Sequence, residues 1–194
     1  AFSNHSYTLY NMEMIEDVIT KELDNDVLKA FHKLKPYAYK SDLARYCIGY
    51  IYGGWYADIS IKFTTRISEI EYNFEFLGFI DRGSGLGFPS ILPYAIQSSC
   101  FYIEKGNKIM SKAIDLILEN CAKESYGVSA TCPTGPGVLG RAFASSGLRR
   151  NNVIGYFMPL TPNHQKLNKS YVLPDGTILA QHKDAWYLNA KSAD

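Results

Sequence analysis

Two carboxylates and a guanidinium lie close together in the sequence, at spacings that suit binding chemistry. Asp42 and Arg45 stand at i and i+3, so a helix would place both side chains on the same side. Asp58 and Ser60 follow beyond the Gly53-Gly54 pair. A carboxylate suits a hard divalent cation or sugar hydroxyl groups. A metal ion and a cationic side chain can both stabilise negative charge that develops in a reaction.

Two elements must position these side chains. A helix is predicted to begin at Pro36, whose fixed φ suits a first turn, and to end at Gly53-Gly54, where glycine accepts a left-handed conformation. A strand is predicted to follow directly. Its alternation would place Tyr56, Asp58 and Ser60 on one polar face. The opposite, core face would hold Trp55, Ala57, Ile59 and Ile61. An Asp in such a strand suits the carboxyl edge of a sheet, where ligands bind in open α/β folds.

The segment from Asp42 to Ser60 resembles the central signature of the DXD-containing sugar-transfer glycosyltransferases. That group includes the yeast initiation-specific mannosyltransferases, bacterial capsule and lipopolysaccharide transferases, and the glucosyltransferase domains of large clostridial toxins. Its pattern is an Asp-x-x-Arg-Tyr helix followed by Gly-Gly-x-Tyr-x-Asp-x-Asp. The matching residues are Asp42, Arg45, Tyr46, Gly53, Gly54, Tyr56 and Asp58. Ser60 departs from the pattern, because a hydroxyl replaces the second carboxylate, the usual metal ligand.

Two shorter segments extend the resemblance. Thr134-Gly135-Pro136-Gly137, before a helical stretch over 138–143, resembles the Thr-Gly-Pro turn of the family. The run from His182 to Trp186 resembles its closing segment near the active site. Family members generally begin with a strand and an Ile-His-Gln-x-Trp-like stretch, which would precede Ala1. We therefore expect residues 1–194 to be a single catalytic domain that lacks the first strand of the family.

The resemblance implies roles for individual residues. Asp42 and Arg45 would hold the donor sugar and its phosphate, and Asp58 the ribose and the metal. Tyr56 is expected to bind the nucleotide, and His182 and Trp186 the diphosphate, while Gly54 is a further expected substrate-binding residue. Asp42, Arg45 and Asp58 are the expected catalytic residues. Asp58, Ser60 and His182 are the expected metal ligands, for Mn²⁺ or Mg²⁺ bound more weakly because of Ser60.

The resemblance also implies a fold and an activity. The fold would be α/β of the GT-A type, a Rossmann-like mixed sheet flanked by helices. The activity would be transfer of a hexose from a nucleoside diphosphate sugar to a hydroxyl of a glycan or glycolipid acceptor. Retention of anomeric configuration and a place in bacterial surface polysaccharide synthesis are expected on the same ground.

Composition excludes several other classes. The chain has 194 residues, of which 46% are hydrophobic and 20% charged, which is typical of a globular domain. Its net charge of +1 gives no basic field for nucleic acid. No apolar run approaches the roughly 18 residues of a membrane span. Four scattered cysteines without a CxxC pair indicate reduced thiols. We expect a cytoplasmic protein, at most peripheral at the inner membrane.

Hydrophobic periodicity predicts alternating helices and strands in the rest of the chain. Helical spacing over 12–33 is interrupted near 23–26, where Asp24 or Asn25 could cap a second helix. A further helix is predicted over 108–121. Strands are predicted over 76–80, 95–103, 153–157 and 178–180, with a turn at 174–176. The glycine-rich run 81–87 is predicted to be a loop bordering the site, with glycines that could serve as lid hinges.

Two other classes of function stay open. A non-catalytic sugar-nucleotide or glycan binder would keep the fold and have lost its metal ligand at Ser60. A metal-dependent hydrolase using Asp58 is disfavoured, because no second carboxylate or histidine cluster accompanies that residue in the sequence.

Overall fold

The computed structural model describes residues 5–70, 73–81, 94–146, 149–158 and 169–182, and it places helices on a mixed β-sheet. The helices are α1 Met12–Glu22, α2 Asn25–Lys33, α3 Tyr37–Tyr52, α4 Lys108–Lys123 and α5 Pro136–Ser145, with a 3-10 turn at Ile67–Glu69. The strands are β1 Gly54–Ala57, β2 Ile61–Phe63, β3 Phe76–Asp81, β4 Cys100–Ile103, β5 Asn152–Met158, β6 Ser170–Val172 and β7 Ile178–His182.

The helices begin and end where local chemistry favours it. The predicted break before α2 is confirmed, and Asp24 is its N-terminal flanking residue, although the Asp24 side chain makes no capping hydrogen bond. Asn107 does cap α4, since it accepts a hydrogen bond of 2.9 Å from the Ile109 amide. Pro36 precedes α3, and Gly53 ends it with φ of 69°. A Cβ on Gly53 would lie 2.6 Å from the Lys105 backbone nitrogen. The predicted bounds of α3 are therefore confirmed.

Seven strands of the described chain form one sheet, in the order β1-β4-β3-β5-β6-β7-β2. The β3–β5 pair is parallel and the other pairs are antiparallel. The predicted α/β class with a mixed sheet flanked by helices is confirmed.

The first two strands occupy opposite ends of this order, although only residues 58–60 separate them. Strands in a sheet lie about 4.8 Å apart, so the outer strands of a flat seven-stranded sheet would be about 29 Å apart. The connection from Ala57 to Ile61 makes four steps along the chain and spans at most about 14 Å. The sheet must therefore curl until its two edges meet. We call the place where they meet, at Asp58–Ser60, the seam.

Each face of the curled sheet packs against its own core. Along β3, Phe76 packs with the helices, whereas Leu77 and Phe79 pack into a second cluster on the opposite face. Tyr56 contacts the helix-side core and its neighbour Trp55 contacts the second cluster. The period-2 alternation of the strands thus separates the two cores.

The predicted alternation through Asp58 and Ser60 is wrong. Strand β1 ends at Ala57, and the Ile61 amide donates to the Asp58 carbonyl oxygen at 2.9 Å, which closes a turn over 58–61. Ile59, expected in the core, is 83% exposed. The chain must turn here because β1 and β2 belong to opposite edges of the sheet.

One other predicted strand is shorter than expected, since of 95–103 only Cys100–Ile103 is a strand. Residues 95–99 instead lie beside β3, with an isolated bridge between Ile80 and Ile96 and a hydrogen bond of 2.8 Å from the Gln97 amide to the Phe79 carbonyl oxygen. The predicted buried strand over 76–80 is confirmed as β3. The predicted loop 81–87 lies outside the described residues beyond Asp81.

Candidate active site

Arg45 is the centre of the candidate site. It lies on α3 with its side chain only 9% exposed. Its Nη1 donates to the carbonyl oxygen of Ser98 at 2.8 Å and to Oδ1 of Asp58 at 3.2 Å. Its Nε donates to the carbonyl oxygen of Ser41 at 3.1 Å. The guanidinium therefore joins the helix, the irregular segment before β4 and the seam.

Asp58 is the carboxylate of the seam. Its Oδ1 accepts a hydrogen bond of 2.7 Å from the hydroxyl of Tyr56 as well as the one from Arg45. Its backbone amide donates to the carbonyl oxygen of Ser99 at 2.8 Å. The side chain stays 33% exposed, far more than that of Arg45. Asp58 is thus a held carboxylate that still faces solvent.

Asp42 lies behind Arg45. Its Oδ2 accepts a hydrogen bond of 2.8 Å from the hydroxyl of Thr134, and its Oδ1 lies 3.4 Å from Ser98 Oγ and 3.6 Å from Arg45 Nε. Burial raises the pKa of the Asp42 carboxyl, although Arg45 and Thr134 oppose that shift. When ionised, the two carboxylates outweigh the single guanidinium and leave the cluster with one net negative charge.

Tyr56 supports the pair from the strand. Its ring stacks on Phe101 with centroids 5.2 Å apart, and the Arg45 guanidinium carbon lies 4.9 Å from its centroid. Burial raises the pKa of the Tyr56 phenol, so the hydroxyl stays protonated and donates to Asp58.

Ser60 and His182 meet beside the seam. Strand β2 pairs with β7 so that Ile61 lies opposite His182, and Ser60 Oγ lies 3.2 Å from His182 Nε2. The His182 amide donates to the carbonyl oxygen of Lys169 at 2.9 Å, which fixes the end of β7. The structure therefore brings together two of the three predicted metal ligands.

Most of the predicted site residues line one cleft, which has a volume of about 1870 Å³. The predicted residues that line it are Arg45, Gly54, Tyr56, Asp58, Ser60 and His182. Asp42 is not among the lining residues, and Trp186 lies outside the described residues. Within the described ranges, no group of three or more His, Cys, Asp or Glu side chains is placed to hold a metal ion.

Three polar residues of the site were not assigned a role from the sequence. Ser41 and Ser98 supply the carbonyl oxygens that hold Arg45, and Thr134 holds Asp42. Backbone acceptors carry no side-chain signal, so the first two could not be found from sequence. Thr134 did carry one, since it opens the Thr-Gly-Pro turn.

Two comparisons with known proteins find similar sequences or folds. Residues 2–77 match the model of a family described as the glycosyltransferase sugar-binding region containing the DXD motif. The solved structure of PaToxG Glycosyltransferase is similar in fold, with a TM-score of 0.51 at 18% sequence identity. That similarity covers 70% of this chain and 44% of the PaToxG chain, so this chain corresponds to less than half of that structure. Comparison with curated protein sequences gives no match.

The family match includes the charged residues of the candidate site. The family match spans α1 to the start of β3 and so includes Asp42, Arg45 and Asp58. The solved neighbour has the GT-A-type glycosyltransferase fold. No helix in the described ranges has the length and apolar character needed to cross a membrane. The predicted resemblance to the DXD-containing sugar-transfer glycosyltransferases, and with it the α/β fold of the GT-A type, is confirmed.

Proposed function

We propose that the chain transfers a hexose from a nucleoside diphosphate sugar to a hydroxyl of a glycan or glycolipid acceptor. The observation that most supports this proposal is the setting of the Asp58 carboxylate. Asp58, within the segment that matches the sugar-binding family, is held by Arg45 and Tyr56 yet keeps a third of its side chain open to the cleft. A held, accessible carboxylate is what a donor's hydroxyl groups or a cation on its diphosphate require.

The residues of the seam fit a divalent cation that is shared with a diphosphate. Asp58, Ser60 and His182 offer a carboxylate, a hydroxyl and an imidazole nitrogen, all bordering the cleft. Only one of the three carries a negative charge at neutral pH, so the donor phosphates would have to complete the set. When bound, Mn²⁺ or Mg²⁺ would neutralise charge on the departing diphosphate.

Arg45 would serve this site in two ways. It lines the cleft, so its positive charge lies near the proposed diphosphate. It also holds Asp58 in place through Nη1. Asp42 is buried behind it, and the expected contact of Asp42 with the donor sugar stays a prediction. The expected roles of Gly54 in substrate binding, of Tyr56 with the nucleotide and of Trp186 with the diphosphate are also proposals.

The setting of the reaction follows from the resemblance alone. We propose retention of anomeric configuration, a role in bacterial surface polysaccharide synthesis, and a cytoplasmic location that can be peripheral to the inner membrane. We also propose that residues 1–194 act as one catalytic domain.

A non-catalytic binder is the second candidate, and Ser60 is the observation that favours it. A hydroxyl at this position removes the negative charge that the family's second carboxylate gives to the metal site. Such a protein would still bind a nucleotide sugar through Asp58 and Arg45, but it would not cleave it.

A ligand screen tests both candidates. The melting temperature is measured with a panel of uridine and guanosine diphosphate sugars, each with Mn²⁺ and with chelator, and hydrolysis of each donor is followed by release of the nucleoside diphosphate. Stabilisation together with metal-dependent release supports the transferase. Stabilisation without release indicates the binder. No stabilisation by any donor contradicts both.

A further inference from the structure

We infer that Thr134, which does not line the cleft, is a positioning residue that keeps the Asp42–Arg45–Asp58 chain of contacts in its working arrangement. This inference deepens the proposed function and rests on it. Thr134 precedes α5 in the chain, far from α3 in sequence, and it is fully buried. Its hydroxyl donates to Asp42 Oδ2 at 2.8 Å.

The contact is built into the packing of α3 against the turn before α5. A Cβ on Gly135 would lie 3.1 Å from Asp42 Oδ2 and 3.3 Å from the Thr131 carbonyl oxygen, so a side chain at 135 would crowd the carboxylate. The neighbouring Tyr46 hydroxyl donates to the Gly135 carbonyl oxygen at 3.2 Å. Two side chains of α3 are thus joined to this turn by hydrogen bonds.

The effect reaches the cleft through successive contacts. Thr134 fixes one oxygen of Asp42, and the other oxygen lies 3.6 Å from Arg45 Nε. Arg45 in turn holds Asp58 through Nη1. Without the Thr134 hydroxyl, Asp42 keeps, among the described residues, only the longer hydrogen bond of 3.4 Å from Ser98 Oγ as a hydroxyl contact, and the freed carboxylate oxygen must find another partner. Arg45 is the cation nearest to Asp42, and any shift of Arg45 toward it weakens its contact with Asp58.

The test compares Thr134→Val, which keeps the shape and removes the hydroxyl, with Thr134→Ser, which keeps the hydroxyl. Thr131→Val is the matched control, since Thr131 lies on the same loop, is exposed and, among the residues that the structure describes, uses its hydroxyl to bond to Ser129. UDP-glucose and GDP-mannose with MnCl₂ are the probes for kcat and KM. The Nε–H resonance of Arg45 in ¹⁵N-labelled protein, assigned with Arg45→Lys, reports the guanidinium without requiring activity.

We expect Thr134→Val to lower kcat about tenfold, the worth of a hydrogen bond to a charged group, with a smaller change in KM. The Arg45 resonance should shift in Thr134→Val. Thr134→Ser and Thr131→Val should match the unsubstituted protein in both measurements. Rescue by serine separates a role of the hydroxyl from general packing.

Other outcomes separate the failure of this inference from the failure of the proposed function. Unchanged kcat or an unchanged Arg45 resonance in Thr134→Val overturns the positioning role. If the unsubstituted protein turns over neither donor, the transferase proposal loses support for these two donors, and the Arg45 resonance still decides about Thr134. Should Thr134→Val not fold, Thr134→Ala takes its place, with the same two results expected.

Discussion

Arg45 Nη1 lies 3.2 Å from Asp58 Oδ1 and thereby joins a buried helix to the turn at the seam of the sheet. The two side chains differ in burial, with the Arg45 side chain 9% exposed and the Asp58 side chain 33% exposed. The ion pair is therefore anchored on one side and open to the cleft on the other. Two backbone carbonyl oxygens complete the anchoring of the guanidinium.

Replacing Arg45 by Met should destabilise the fold and abolish turnover. The change leaves the Asp42 carboxylate buried without its cation. Breaking a fully buried ion pair costs about 3–5 kcal/mol. We expect a smaller loss of stability here, because Asp58, the other partner of Arg45, is partly exposed. Urea unfolding and donor hydrolysis measure the two effects. Arg66→Met is the control, since Arg66 forms an exposed pair with Glu69 and should change stability by less than about 1 kcal/mol. A stable, active Arg45→Met contradicts the role of the pair.

Replacing Asp58 by Asn should remove metal-dependent binding with only a modest loss of stability. Asn keeps an oxygen acceptor for Tyr56 but has no charge for a cation. We expect a small fall in melting temperature and no extra stabilisation when UDP or GDP is added together with Mn²⁺. Asp17→Asn, at an exposed pair with Lys21 on α1, is the matched control. If Asp58→Asn is stabilised as strongly as the unsubstituted protein, the nucleotide site lies elsewhere.

Replacing Ser60 by Asp should tighten Mn²⁺ binding in the free protein. The new carboxylate would lie beside His182, at the seam that already holds Asp58, and would add the missing negative charge. Isothermal titration with and without nucleoside diphosphate measures the effect, and Ser60→Ala, which removes the hydroxyl, is the comparison. The unsubstituted protein should bind metal measurably only together with nucleotide. Metal binding by Ser60→Ala equal to that of Ser60→Asp would exclude residue 60 as a ligand.

The pH dependence of stability should reveal the burial of Asp42. Burial raises the pKa of this carboxyl in the folded state above its value in the unfolded chain. Its contribution to stability is therefore fully present below the unfolded value, about pH 4, and is lost as pH rises through the folded pKa. Asp42→Asn cannot titrate, so its stability relative to the unsubstituted protein should increase over that interval. Urea unfolding between about pH 4 and pH 7 measures the difference, and a constant or falling difference contradicts the assignment.

Local signals predicted the helices well and the seam poorly. The bounds of α3 follow from Pro36 and Gly53, whose backbone preferences act within a few residues. Asp58 and Ser60 lie in a turn that connects strands at opposite edges of the sheet. Their conformation therefore depends on the pairing of distant segments and not on local backbone preferences. Nothing within the segment itself encodes where β2 will pair.

The residues of the candidate site also differ in whether the sequence could predict them. The spacing of Asp42 and Arg45 and the motif around Tyr56 identified the charged cluster before its geometry was known. The contact of Ser60 with His182 connects residues 122 positions apart and could only be expected through the family resemblance. Ser98 binds Arg45 through its backbone carbonyl oxygen, and it lies in a segment that the sequence predicts to be a strand. Sequence indicates side-chain chemistry, whereas backbone acceptors depend on the tertiary fold.

The curled sheet also has a consequence for the order in which the chain folds. Asp58 and Ser60 are neighbours in sequence, but the turn between them is complete only when β2 has paired with β7, at the far end of the described chain. Pairings between distant segments carry a large loop-closure entropy and form late. The helices and β1 can therefore assemble while the seam is still open. Binding competence should appear in the last kinetic phase of refolding, after most of the helical signal has already been recovered.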